Sequence, residues 1–389
     1  MNEPVSSTES GPRRPGRRRL FVVICLVGIP LGLSGLDHLT DWILSPPPRH
    51  LLFPSGSQVR HESGEFDVQV KISNQGLRDR EFPAIASKGK TRIVAIGDSF
   101  TFGWGVPVEQ SWPKVLESLG NKSSEVINFG FPGASPNDYS TMITSALDHF
   151  SPDIVLVGTL QGDDLIQLVE QEPVEVEWSV RAQKRFFPTL SAWLRPVPAT
   201  MESYRSIFRK SQAYLRSTLT PEQRQRYQQL SPGVRADFEA GLLNPSLVHT
   251  AVTNPGRFVA QMQDENAWQI KAEARFRHSV RDWAARCRET SAELVLLIIP
   301  DGPYVSEAAA GGMRAVGYDV PSSLLTTTVC QDVVTAICGE FEVRVINPVP
   351  EFRQSTNGGD YFELDGHFTP RGQKRLATAV ARELGPPVD

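Results

Sequence analysis

The chain is short of cysteine, has no large surplus of charge of either sign and contains no internal repeat. Each shortage removes a class of protein. Four cysteines in 389 residues are too few for a disulfide scaffold, and none is spaced C-x-x-C as a zinc site would need. Cys330 and Cys338 stay open between a pair in an oxidising compartment and two buried free thiols. Cys25 lacks the small preceding residue of a lipoprotein cleavage site. A formal net charge of −4 leaves no basic field for a nucleic-acid partner. There is no metal-ligand cluster and no phosphate-cradling glycine loop with a lysine, so no cofactor and no metal is expected.

What is present is an ordinary globular composition, with a length that fits a single α/β domain carrying an insertion. The N-terminus adds targeting information. Arg13, Arg14, Arg17, Arg18 and Arg19 precede an apolar run from Leu20 to Leu36, at the short end of what crosses a hydrocarbon core. The basic tail, residues 1–19, is expected in the cytoplasm, 20–36 as an uncleaved signal anchor, and the rest outside the cell membrane. A cleaved signal peptide with secretion is the alternative, because Gly28, Pro30, Gly32 and Gly35 weaken a helix there.

Residues 37–90 read as a linker and a small β-element. Phe66 to Ile72 alternates with period two, as a half-buried strand does. Asn74-Gln75-Gly76 supplies turn residues, and Arg78 reads as a surface arginine. From residue 91 the pattern becomes βαβ. Apolar strands are expected at Arg92–Ile96, Val126–Phe129, Ile154–Val157, Leu294–Ile299 and Val343–Ile346. Ser135-Pro136 and Thr369-Pro370 are helix starts. Buried strands separated by helices imply a parallel sheet covered on both faces, a three-layer α/β/α sandwich. Residues 166–265 read as a helical insertion, with Thr220-Pro221-Glu222-Gln223 as a capping box. A long helix around Trp268, Phe276 and Trp283 belongs to the main domain.

Ser99 stands where a strand ends and a helix begins, the usual ligand edge of a parallel sheet. A serine hydroxyl needs a base within reach, and the base needs an orienting group. Of seven histidines, His367 alone follows a carboxylate in a turn before a helix, in Asp365-Gly366-His367-Phe368-Thr369-Pro370. His38, His50, His61, His149, His249 and His278 read as structural or exposed. Trp104 and Trp112 read as core or pocket wall.

These segments resemble the SGNH (GDSL-type) serine hydrolases, of a membrane-anchored bacterial type. Asn74 to Arg78 is also similar to a short segment upstream of the catalytic block in that type, with a tight turn and a surface arginine as the preferred reading. Gly97-Asp98-Ser99 is similar to the first block of that family and Asn128-Phe129-Gly130-Phe131-Pro132-Gly133 to the second. Gln161-Gly162-Asp163-Asp164 resembles the third and Asp365 to Pro370 the fifth, all in family order, over somewhat less than half the chain. The resemblance implies a flavodoxin-like sandwich in which Ser99, His367 and Asp365 form a triad that opens an ester through an acyl-enzyme. It also implies an oxyanion hole from the backbone of Ser99 and Gly133. Two departures stand out. One residue instead of two separates Asp365 from His367, so Asp360 and Glu363 are weaker alternatives as its partner. Asp163 stands where the family has an asparagine, and an ionised carboxylate cannot donate to an oxyanion. Three resolutions are open: Asp163 is protonated beside Asp164, Gln161 is a stand-in donor, or catalysis is impaired. The function implied is esterase action on an O-acyl group, with an envelope carbohydrate as substrate. An O-acyltransferase, or an impaired envelope protein binding a glycan or partner, are the alternatives.

Overall fold

The computed structural model describes residues 28–44, 51–120, 123–170, 186–187, 203–262, 267–355 and 358–385. These fall into two units. The first contains the helix Ile29–Leu44 and residues 186–187, where the Ser34 hydroxyl donates to the Phe186 carbonyl at 2.6 Å. Only the second half of the expected 20–36 span lies in this helix; residues 20–27, with Cys25, lie outside the described residues. The helix passes through Asp37 and His38, which interrupt the apolar run that precedes them. Among the described residues no helix is long and apolar enough to cross a membrane.

The second unit begins with a hairpin of β1 (Gln58–Glu62) and β2 (Asp67–Lys71), whose side chains alternate between buried and exposed. Five parallel strands follow: β3 (Thr91–Gly97), β4 (Ser124–Gly130), β5 (Ile154–Leu160), β6 (Glu293–Ile299) and β7 (Arg344–Ile346). Their order across the sheet is β4-β3-β5-β6-β7. The strands form because runs such as Ile93–Ile96 and Leu294–Ile299 can bury both faces only in the middle of a sandwich. The helices Trp112–Leu119 and Pro370–Leu384 pack together on one face. Pro136–Phe150, Ala267–Glu289 and Val329–Glu340 pack on the other, as right-handed crossovers in opposite directions require. The chain leaves β3 first toward β4 and later toward β5, so the crevice of this α/β/α sandwich opens at the carboxyl end of β3.

The described insertion is mostly helical: Asp164–Glu170, Tyr204–Thr218, Pro221–Gln229, Pro232–Ala240 and Pro245–Thr253. Ser203, Thr220, Ser231 and Asn244 cap the last four, and Thr220 forms the expected box with Gln223. Tyr204 and Phe208 pack with Phe53, Val59, Val70, Phe102 and Trp104 in a second core that joins insertion, hairpin and the loop after Ser99.

Residues 51–90 hold the expected small β-element in this hairpin, but Arg78 is not a surface arginine. It is buried, and its guanidinium donates to the carbonyls of Phe102, Gly103 and Val106 at 2.5–3.0 Å. The adjacent Asp79 accepts from the Asn128 amide of β4 at 2.9 Å and from Lys114. The Asn74 to Asp79 stretch is a clasp on the sheet, because its charged groups satisfy backbone that the loops leave unpaired. Arg92, expected at the head of an apolar strand, is likewise buried and paired with Glu125 at 2.8 Å. Cys287, Cys330 and Cys338 are free and buried. No cis peptide bond occurs among the described residues.

Candidate active site

β3 ends at Gly97 and the chain turns at once into the short helix Ser99–Phe102. A Cβ on Gly97 would come within 2.2 Å of Thr101 Oγ1, so only glycine lets this turn close. Asp98 caps the turn, accepting from the Phe100 amide at 2.9 Å. The Ser99 side chain is thereby raised onto the crevice.

His367 comes to it from the far end of the chain. Its Nε2 lies 2.7 Å from Ser99 Oγ, and its Nδ1 lies 2.6 Å from Asp365 Oδ1. The single residue between Asp365 and His367 suffices because Gly366 takes a left-handed conformation, φ 82°, which folds carboxylate and imidazole onto one side of the turn. Asp360, the first alternative partner, is engaged by Arg371, Arg375 and Ser355. Glu363 carries no contact to the imidazole. The ring is held between Phe100 (centroids 4.7 Å apart) and the indole of Trp104 (5.4 Å, 27° between planes).

Trp104 has a second role that sequence reasoning missed. Its Nε1 donates to Asp365 Oδ2 at 3.2 Å. Burial alone would raise the Asp365 carboxyl, but the His367 and Trp104 donors hold it below the usual aspartate value. Burial likewise disfavours the charged imidazole, yet Asp365, then Asp98 and Asp301, outweigh it and raise His367 above the ordinary histidine value. A base of that kind accepts a proton readily and is supported when it carries one.

Gly133 faces the same cleft with φ 83° and nothing within 4 Å of the position of a Cβ. The left-handed backbone angle at this position favours glycine. The third block is arranged in a way that sequence reasoning did not offer. Asp163 is held in an ion pair by Arg257 from the insertion and bonded by the Gln167 amide. The carboxyl that burial pushes far up is Asp164, fully enclosed and accepting from Tyr139 and the Leu160 amide. Gln161 is fully buried and is not among the residues that line the cleft, although its neighbours Leu160 and Gly162 are. Arg257 carried no local sign of this role in the sequence, since it lies 94 residues from its partner.

The cleft measures about 330 Å³ and runs from Ser99 and His367 past Asp163 to a wall of Asn244, Ser246, Leu247 and Thr250 from the insertion. Burial raises Asp98 to about 6 and Asp301 to about 7 at its floor. Among the described residues no group of three His, Cys, Asp or Glu side chains is arranged to hold a metal ion.

No protein-family model matches the chain. An arylesterase of Vibrio mimicus is 29% identical over 83 residues, which are 21% of this chain and 42% of that protein. The chain thus spans less than half the length of this curated relative. Solved structures with a similar course include a lipase/acylhydrolase from Enterococcus faecalis, 13% identical with a TM-score of 0.37, covering 77% of this chain and 100% of that one. A lipolytic protein of the G-D-S-L family from Desulfitobacterium hafniense is also 13% identical with a TM-score of 0.37, covering 75% and 99%.

Proposed function

We propose that the chain is a serine esterase that opens an O-acyl ester through an acyl-enzyme. The observation that carries this reading is the unbroken line Ser99 Oγ–His367 Nε2 and His367 Nδ1–Asp365 Oδ1, at 2.7 and 2.6 Å, at the floor of an open cleft. Ser99 Oγ attacks the ester carbonyl as its proton passes to His367 Nε2. The imidazolium, steadied by Asp365, then protonates the departing alkoxide, and water repeats the sequence in reverse to release the acid. The backbone amides of Ser99 and Gly133 are the donors for the oxyanion, each worth about 3–4 kcal/mol where such a donor has been removed from an enzyme.

Asp163 is compatible with this chemistry through Arg257. A lone carboxylate at the cleft would oppose the developing oxyanion, whereas a paired one leaves little net field. The pairing supports turnover over the reading as an impaired binding protein. The small cleft, with Asn244, Ser246 and Thr250 along one wall, suits a short acyl group on a hydroxyl-rich acceptor such as a carbohydrate. Transfer to a second hydroxyl instead of water needs the same acyl-enzyme. Attachment to the cell membrane belongs to this reading and rests on the arginine cluster before Leu20 to Leu36.

The test uses p-nitrophenyl acetate and a fluorophosphonate probe. Wild-type protein is expected to hydrolyse the ester and to be labelled at Ser99, and Ser99→Ala to do neither. Equal rates for the two proteins sink the esterase reading. A sugar acceptor that becomes acylated while ester consumption rises identifies the transferase.

A further inference from the structure

We infer that the β1–β2 hairpin is a working part of the active site, with Glu65 as the positioning residue for Asp365. The inference rests on the esterase reading above and deepens it. Glu65 sits in the turn between β1 and β2, closed by the Ser63 amide donating to the Phe66 carbonyl at 2.9 Å. From there its carboxylate reaches across about 300 residues of sequence to the loop that carries the triad. It accepts from the backbone amides of Glu363, Leu364 (3.1 Å) and Asp365 (2.7 Å).

Three successive amides converging on one carboxylate form an anion nest, and charge-assisted bonds of this kind are stronger than neutral ones. Their effect is geometric. The Asp365 amide is fixed from behind by Glu65, while its carboxylate is fixed in front by Trp104 Nε1 and His367 Nδ1. The backbone leading into Gly366 is thus clamped, and the His367 ring beyond it is tied to the clamped Asp365.

The rest of the hairpin is fitted to the same loops. Phe66 packs on Phe362 at 5.0 Å between centroids. A Cβ on Gly105 would strike both rings at 2.8 Å, so the hairpin, the Trp104 loop and the Asp365 loop meet without slack. His61 of β1 lies fully buried against Trp104 and Tyr204, each 4.1 Å away. Burial holds this imidazole down to about 3, so it packs as a neutral ring and brings no rival charge to Asp365. Arg78, just past β2, ties down the carbonyls that flank Trp104. Four residues of the N-terminal segment therefore converge on the two loops that hold His367 in place. No other described contact explains why a carboxylate should be half-buried at this turn.

A displaced orienting carboxylate lowers the rate without changing how the ester binds, and a shift of about 1 Å costs on the order of 100-fold. Glu65→Ala in the full chain is therefore expected to lower kcat for p-nitrophenyl acetate by roughly 10- to 100-fold with KM little changed. The rate of fluorophosphonate labelling should fall in parallel. Glu65→Gln, which keeps one acceptor oxygen, should recover part of the loss, and it serves as the folded comparison if Glu65→Ala does not fold. Arg60→Ala, in the same hairpin but exposed and bonded to Asp67, should leave kcat unchanged. A purely structural role moves stability and leaves the His367–Asp365 pair intact. The separating readout is thus the proton NMR resonance of His367 Hδ1, present in wild type, lost in Asp365→Ala and broadened or shifted in Glu65→Gln. That resonance reports the clamp even if no ester is turned over, which distinguishes a failure of this inference from a failure of the esterase reading. A folded Glu65→Gln or Glu65→Ala protein with wild-type kcat and an unmoved Hδ1 resonance overturns it.

Discussion

Consider replacing Asp301 with asparagine. Asp301 closes the floor of the cleft, almost wholly buried, with one carboxylate oxygen filling the space left by Gly162, where a Cβ would lie 2.1 Å away. Burial, then the neighbouring Asp163, raises its carboxyl to about 7. The unfolded chain gives up this proton near pH 4 and the folded chain only near 7. Below about pH 4 both states hold it and it does not affect stability. Between those values the unfolded state is the one that has lost its proton, so stability falls as pH rises, and above about 7 the full penalty applies. A gap of about three pH units at about 1.4 kcal/mol each gives about 4 kcal/mol, reduced to about 2–4 by the water that reaches a cleft-facing group. An asparagine side chain has nearly the same shape and cannot ionise. The Asp301→Asn protein should therefore be more stable than wild type by that amount at pH 8 and equal to it at pH 4, measured by urea denaturation at the two values. The same change removes one of the charges that raise His367, so the acid limb of the kcat/KM profile should move to lower pH. A stability gain of the same size at both pH values, or none at pH 8, would falsify the reasoning.

Three further outcomes follow from other contacts. Arg257→Met leaves Asp163 without its cation in the cleft that Ser99 also lines; under the esterase reading kcat should fall at least tenfold, a cleft charge being worth one to a few kcal/mol at about 5 Å. The double variant Arg257→Met with Asp163→Asn should recover most of that loss, and additive losses in the esterase assay would refute the charge-pairing account. Arg78→Met strands the carbonyls of Phe102, Gly103 and Val106; it should cost about 3 kcal/mol in urea denaturation and lower kcat through the Trp104 loop. An unchanged urea midpoint would count against the clasp. The acid limb of the wild-type kcat/KM profile should have its midpoint above the ordinary histidine value, because His367 is raised and must be neutral to accept the Ser99 proton; Asp365→Asn should shift it down.

The sheet and most helices were legible because their signals are local. Ile93–Ile96 and Leu294–Ile299 could only be buried strands, and Ser135-Pro136, Thr220 to Gln223 and Thr369-Pro370 mark helix starts by capping chemistry that needs no tertiary partner. Ser99 and the Asp365–His367 pair were legible for the same reason, each being set in a short turn whose glycine can be read directly. What a charged side chain does after folding is not local. Arg78 reads like any exposed arginine until the loop at 102–106 is laid over it. Glu65 and Trp104 meet Asp365 across 300 and 261 residues of sequence, and Arg257 reaches Asp163 from an insertion that sequence patterns could only describe as helical. The sequence by itself thus determined the layers and the candidate residues for chemistry. The tertiary structure decided which buried charges hold them in place, because a buried charge is stable only beside its partner, and the topology of the chain chooses that partner.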